Sequence, residues 1–377
     1  MRQITPMDAA FLYLENEKTH AHATLVWLYD ANDCDPEQID RRALVQHMRE
    51  RVHVSPVFTQ KLHRLPLEFD YPYWVEDSSF ELLYHVRQSS EPAPENWEQL
   101  CKIIAAYHTT PLDSEHPLWQ MMLVSELNDL PGLPPRCFAI LAKLHHVALD
   151  GATGMALIRN IHSGDDDAAV HSISRSTNAE KPTLASGVFR AAVRNLGATD
   201  KLLSTLRRKS PVSPSLEESP IGDELKESQS EKTPVPQTLF NQQVSSSCSF
   251  DTRIFDLADI KQLRNAVEGA TVNDVLLCIC AGGLRRFLQE KSALPEDTMK
   301  AGCPINIRTE GEASSGGNMI SAMIVDLHTD VADPVQRLQA IAQSSRRAKQ
   351  AVEAHGSRKI VDIVDLIPAA GQAMLGR

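Results

Sequence analysis

The run His145-His146-Val147-Ala148-Leu149-Asp150-Gly151 places a potential base, a carboxylate and a glycine turn within seven residues. Histidine titrates near neutrality, so a neutral imidazole can take a proton from a hydroxyl at physiological pH. The preceding stretch, Cys137 to Leu144, is short, apolar and bounded upstream by Pro134-Pro135, which predicts a buried strand. Asp150-Gly151 reads as a turn, and Ala152 to Ile161 has helical apolar spacing through Met155, Ile158 and Ile161. The two histidines therefore fall where a strand ends. Neighbouring side chains on a strand face opposite ways, so only one of the pair can point into a given cavity. That geometry argues against both binding one metal ion. It suits one histidine as general base, with the other holding the backbone or packing.

The elements that must position this run are a mixed α/β set. Thr5 followed by Pro6 and Asp8 predicts a capped helix start. Ala23 to Tyr29 reads as a strand from its β-branched and aromatic residues. Asp35-Pro36 is expected to open a helix through Met48, with Ile39, Leu44 and Val45 on its apolar side, and Trp97 to Tyr107 is a second helix. Trp119, beside prolines, is read first as core packing and second as a ligand contact. His20, His22, His53, His63 and His85 lack metal-ligand spacing, so no metal site is expected.

Several segments in order resemble the bacterial wax ester synthase/acyl-CoA:diacylglycerol acyltransferase family, within the HHxxxDG superfamily of CoA-dependent acyltransferases. Besides the HHxxxDG-like run, they are Thr5 to Leu12, Trp74 to Asp77 with His85-Val86-Arg87, Pro111-Leu112-Asp113 with Pro117-Leu118-Trp119, Ala270 to Val275, and Gly317 to Met323. The similarity covers roughly 1–160 and 235–377. One departure is Cys248-Ser249, where the family commonly has a basic pair. The resemblance implies a two-lobed, chloramphenicol acetyltransferase-like α/β fold. It also implies further strands beyond Arg377, including an Asn-Val-Pro-Gly-Pro segment, so the second lobe is expected to be incomplete. On this reading the lobes are residues 1–162 and 236–377, joined by a linker over 163–235.

The linker is rich in Ser, Pro and Glu from Ser210 onward, a composition that favours disorder. Within it, Val188 to Leu206 is a candidate amphipathic helix, made basic by Arg190, Arg194, Lys201, Arg207, Arg208 and Lys209. Such a helix could lie on an anionic membrane or lipid droplet; a solvated connector is the favoured reading, because Gly197 and Asp200 interrupt it. In the second lobe Phe250 to Phe255 reads as a strand and Leu257 to Val267 as a helix. Thr271 to Asp274 then caps a long helix to Glu290. Val275 to Ala281 is apolar on all sides and is expected to be buried, and Gly282-Gly283 suggests another backbone close by. Asp333-Pro334 starts a further helix with Val335, Leu338 and Ile341 on one face.

The chain has 377 residues, a hydrophobic share of 42% and a net charge of −11, which speak for a globular protein and against nucleic acid as partner. No run nears the roughly 18 apolar residues of a membrane span, and Met1 to Asp8 does not resemble a signal peptide. Seven cysteines without CxxC pairs read as reduced thiols, and a cytoplasmic protein, peripheral to the inner membrane or lipid droplets, is expected. The resemblance implies transfer of a fatty acyl group from acyl-CoA, as co-substrate and with no cofactor, to a long-chain alcohol or diacylglycerol. It assigns catalysis to His146, His145, Asp150 and Gly151, with His146 as base; an arginine is expected to hold Asp150, and Arg308 is one candidate. Pro117, Leu118, Trp119, Asn273 and Asp274 are its candidates for substrate binding, although capping alone explains Asn273 and Asp274. Two alternatives stay open: a condensation-type enzyme using carrier-protein thioesters, and a non-catalytic lipid-binding homologue.

Overall fold

Thr5 starts the first helix as its spacing predicts: Oγ1 accepts the Asp8 N–H at 3.1 Å and Pro6 takes the first helical position. The structure, a computed structural model, describes residues 2–35, 38–148, 151–162, 235–306 and 320–355. Its first part runs β1 (Arg2–Gln3), α1 (Pro6–Leu14), β2 (His22–Asp30), α2 (Arg41–Arg51), β3 (Gln60–His63), β4 (Tyr73–Glu76) and α3 (Leu82–His85). It continues through β5 (Val86–Gln88), α4 (Trp97–Thr109), β6 (Trp119–Asn128), β7 (Arg136–His145) and α5 (Gly151–His162).

A four-stranded sheet of order β2-β7-β6-β5 carries the predicted active-site strand at its centre. β7 pairs antiparallel with both β2 and β6, while β5 is parallel to β6. Alternation along β7 sends its even residues to one face. There Ala142 and Leu144 join Trp119, Met121 and Leu123 against Leu44, Val45 and Met48 of α2 and Leu157 and Ile161 of α5. The odd residues Ala139 and Leu141 pack with Val124 and Leu127 against Leu100, Ile104 and Tyr107 of α4. Both faces are thus covered by helices. Between Val124 and Leu127 the β6–β7 register shifts, and Glu126 takes a positive φ of 61°. A smaller sheet, β1-β4-β3, lies beside α1.

The second part comprises α6 (Leu257–Arg264), α7 (Val272–Glu290), β8 (Lys300–Asn306), β9 (Ile320–Asp326) and α8 (Pro334–His355). β8 and β9 pair antiparallel, and Ala281, Val325, Leu327 and Ile341 form the contact between α7, the hairpin and α8. Thr271 and Asp274 make a reciprocal capping box at the start of α7. All seven cysteines are free.

Five local expectations are corrected. The helix expected from Asp35 begins at Arg41, because Asp40 is the residue whose carboxylate accepts the Ala43 N–H. Phe250 to Phe255 forms no strand: Phe250, Ile254 and Phe255 are exposed, and no neighbouring strand offers the segment a ladder among the described residues. The start of α7 is buried on one side only, with Val275 and Ala281 inside but Leu276 and Cys280 facing out. Val335 is likewise exposed, while Leu338 and Ile341 are buried. The glycine pair meets no other backbone: a Cβ on Gly282 would lie 3.0 Å from the side-chain Nη2 of Arg337, and Gly283 faces open space. The candidate amphipathic helix over 188–206 lies outside the described residues.

Candidate active site

β7 ends at His145, and the chain tightens at once into a 3-10 turn over His146–Ala148. This change of backbone sends the two imidazoles into different surroundings. His145, 2% exposed, sits on the α4 face of the sheet opposite His22 of β2. Its Nδ1 accepts the Val147 N–H at 3.1 Å, so the ring proton resides on Nε2, which donates to Glu15 Oε2 at 3.3 Å. Both nitrogens of His145 are therefore committed.

His146 is half-buried and stacks on Phe11 of α1, with ring centroids 5.0 Å apart and planes inclined by 17°. No hydrogen bond to its ring nitrogens is found among the described residues, whereas its backbone N–H donates to the Ala21 carbonyl at 2.8 Å. Burial, and to a smaller degree the neighbouring His145 ring, holds its pKa below the ordinary histidine value, so the ring is neutral at physiological pH. A neutral imidazole whose nitrogens have no hydrogen bond among the described residues is equipped to accept a proton.

The surroundings fix this arrangement from three sides. Val147 and Ala148 are buried among Ile4, Ala9, Leu12 and Tyr13 of the N-terminal segment and Leu118. The Leu118 carbonyl accepts the His145 N–H at 3.1 Å, and the buried Pro117 accepts the Trp119 N–H at 2.8 Å. Trp119 is paired with Leu144, donates its indole N–H to the Phe58 carbonyl at 3.0 Å and stacks on His85 at 4.5 Å. Pro117, Leu118 and Trp119 thus come together with the histidines, with Trp119 itself 1% exposed in the core. Asn273 is exposed, and Asp274 Oδ2 accepts from the Thr271 N–H and Oγ1, each at 2.8 Å. No hydrogen bond or ion pair among the described residues joins Asn273 or Asp274 to the histidines. Gly151 begins α5; Asp150 and Arg308 lie outside the described residues.

Sequence reasoning missed Glu15 and the role of Phe11. They are four residues apart, hence on one face of α1 and its end. The available signal was a carboxylate at the C-terminal end of a helix with no basic residue in its last turn, where the helix dipole disfavours negative charge.

Two family models match this chain. Residues 4–276 match the wax ester synthase/diacylglycerol acyltransferase catalytic domain, and residues 316–376 match the C-terminal domain of the same family. The chain belongs to this family. It is therefore an acyltransferase of the kind that forms wax esters or triacylglycerol. A probable diacylglycerol O-acyltransferase of Mycobacterium tuberculosis is 29% identical over 353 residues, covering 91% of this chain and 73% of that protein. A second, putative diacylglycerol O-acyltransferase of the same organism is also 29% identical, over 98% of this chain and 76% of its own length. In fold, the chain is similar to the solved wax ester synthase/diacylglycerol acyltransferase from Marinobacter aquaeolei VT8. The TM-score is 0.64 at 24% identity, over 100% of this chain and 78% of that one. No helix among the described residues of this acyltransferase is long and apolar enough to cross a membrane.

Proposed function

We propose that this acyltransferase uses His146 as the general base that moves a fatty acyl group from acyl-CoA to the hydroxyl of a long-chain alcohol or diacylglycerol. The supporting observation is the division of labour in the pair: His145 has both nitrogens engaged, and His146 is neutral with no hydrogen bond to its ring nitrogens among the described residues. The acceptor O–H gives its proton to His146 while its oxygen attacks the thioester carbonyl. The tetrahedral oxyanion then collapses, the C–S bond breaks, and the CoA thiolate leaves with the proton returned by the imidazolium. No covalent acyl-enzyme is required, because no serine or cysteine nucleophile is paired with either histidine among the described residues.

In this reading Gly151 allows the turn behind the base, and Asp150 holds the run's geometry through a cation, with Arg308 the candidate. Pro117, Leu118 and Trp119 act by supporting the strand end. Asn273 and Asp274 shape the start of α7. No cofactor is needed beyond acyl-CoA as co-substrate. A membrane or lipid-droplet surface as the place of work requires the basic stretch over 188–209 to lie on that surface instead of acting as a solvated connector.

The test is ester formation by the purified chain from labelled palmitoyl-CoA with hexadecanol or diacylglycerol. His146→Ala is expected to lower turnover by at least about 10²-fold with the fold intact. Near-normal turnover in His146→Ala, with loss in His145→Ala, would overturn the assignment. Activity only with carrier-bound acyl groups would instead point to condensation chemistry.

A further inference from the structure

Glu15 follows Leu14, the last residue of α1, where the helix carbonyls repel a carboxylate. Three groups converge on it nonetheless. The Ala21 N–H donates to Oε1 at 3.3 Å, His20 Nδ1 lies 3.5 Å from the same oxygen, and His145 Nε2 lies 3.3 Å from Oε2. Burial raises its pKa, but the hydrogen bond and charge of His145, the Ala21 N–H and His20 outweigh burial, and the carboxyl is held below its ordinary value.

The consequence runs through a single proton. An acceptor at Oε2 keeps the His145 proton on Nε2, which leaves Nδ1 bare to accept the Val147 N–H. Val147 is the middle residue of the 3-10 turn that begins with His146. Moving the proton to Nδ1 would set two N–H donors against each other inside a buried turn and leave both unmet. The turn would then open or twist, and the His146 ring would leave its stack on Phe11. α1 thus touches both histidines: Phe11 lies against the ring of one and Glu15 sets the tautomer of the other.

We infer that Glu15 is a positioning residue for the acyl transfer: by fixing the tautomer of His145 it shapes the turn over 146–148 and aims His146 at the acceptor hydroxyl. This rests on His146 being the base. Glu15 itself touches neither substrate nor reacting atoms. A carboxamide at this position cannot replace it, because its one oxygen can serve Ala21 or His145 but not both.

The experiment compares wild type with Glu15→Gln, and with Leu14→Ala as a control on an exposed neighbour. Glu15→Gln should lower kcat about tenfold or more, since misplacing a reacting group by 1 Å can cost on the order of 10²-fold. KM for acyl-CoA and for alcohol should change little. In nitrogen-15 spectra of histidine-labelled Glu15→Gln, the His145 proton should pass at least in part from Nε2 to Nδ1. A merely structural weakening would leave that tautomer in place. Leu14→Ala should leave kcat within about twofold. Nitrogen-15 shifts of histidine-labelled wild-type protein give a readout that needs no variant: His145 should carry its proton on Nε2. A proton on Nδ1 in wild type, or a Glu15→Gln variant with unchanged kcat and an unchanged His145 tautomer, would overturn the inference. Loss of activity in His146→Ala beside unchanged Glu15→Gln would overturn the role of Glu15 alone. Retained activity in His146→Ala would show instead that the base itself is misassigned.

Discussion

Acidification from about pH 7 to about pH 5 should destabilise the first part of this protein through His22 and His85. Both are buried, and burial holds each near a pKa of about 4 against an ordinary 6.5. Their hydrogen bonds show why. His85 Nδ1 donates to the Trp119 carbonyl at 2.7 Å, and His22 Nε2 donates to the His108 carbonyl at 2.6 Å. The second nitrogen of each ring is buried without a partner among the described residues, so protonation would place an unpaired N–H and a charge in the core. Because the folded pKa lies below the unfolded one, stability is complete above about pH 6.5 and drains away as pH falls toward 4. At about 1.4 kcal/mol per pH unit, each gap is worth roughly 3 kcal/mol, and the pair a large share of the 5–15 kcal/mol that ordinarily holds a protein folded. Urea unfolding followed by tryptophan fluorescence reads this directly, since all four tryptophans (27, 74, 97 and 119) lie in the first part. His85→Asn keeps a donor for the Trp119 carbonyl but cannot titrate. The variant should start less stable near pH 7, and between pH 6 and 5 it should lose stability more slowly than wild type, by up to about 1.4 kcal/mol per pH unit. Parallel losses in the two proteins would refute the reasoning.

Lys143 gives a second expectation. Fully buried on β7, it donates to the carbonyls of Tyr107 and Thr110 at the end of α4, so Lys143→Met should cost about 2–4 kcal/mol by leaving both acceptors unmet, measured as a lower urea midpoint. An unchanged midpoint would mean that the α4 terminus finds other donors. For the basic stretch, deletion of 186–210 should weaken binding to anionic vesicles, and added salt should weaken binding of the intact chain, at about 1 kcal/mol per basic residue near the surface. Undiminished binding after the deletion would return the stretch to a solvated connector.

Local signals served the sequence reading well wherever one segment carried its own reason to fold. The apolar run before His145, the Thr5-Pro6 cap and the Thr271–Asp274 box each became the element their residues imply. Strand alternation also predicted different surroundings for His145 and His146, but what parts them is the 3-10 turn that begins at His146. What escaped was set by contacts distant in sequence. Glu15 meets His145 across 130 residues, and Lys143 reads as a lone charge in an apolar strand until the carbonyl end of α4 is laid over it. Phe250 to Phe255 shows the converse. Its composition suits a strand, but strand propensity is realised only where a neighbour supplies a ladder.

The register shift between Val124 and Leu127 bears on how such a chain can vary. A strand that gains or loses one residue normally turns all its side chains over, which here would carry His145 off the α4 face and away from Glu15. The irregularity sits on the hairpin side of the sheet, with Glu126 already in a left-handed conformation, while Trp119 to Val124 stay in step with Ala139 to Leu144. Length changes in the connection over 129–135 can therefore be taken up at that end. The half of the strand leading to the histidines keeps its pairing, so the hairpin tip is free to drift over evolutionary time without disturbing the base.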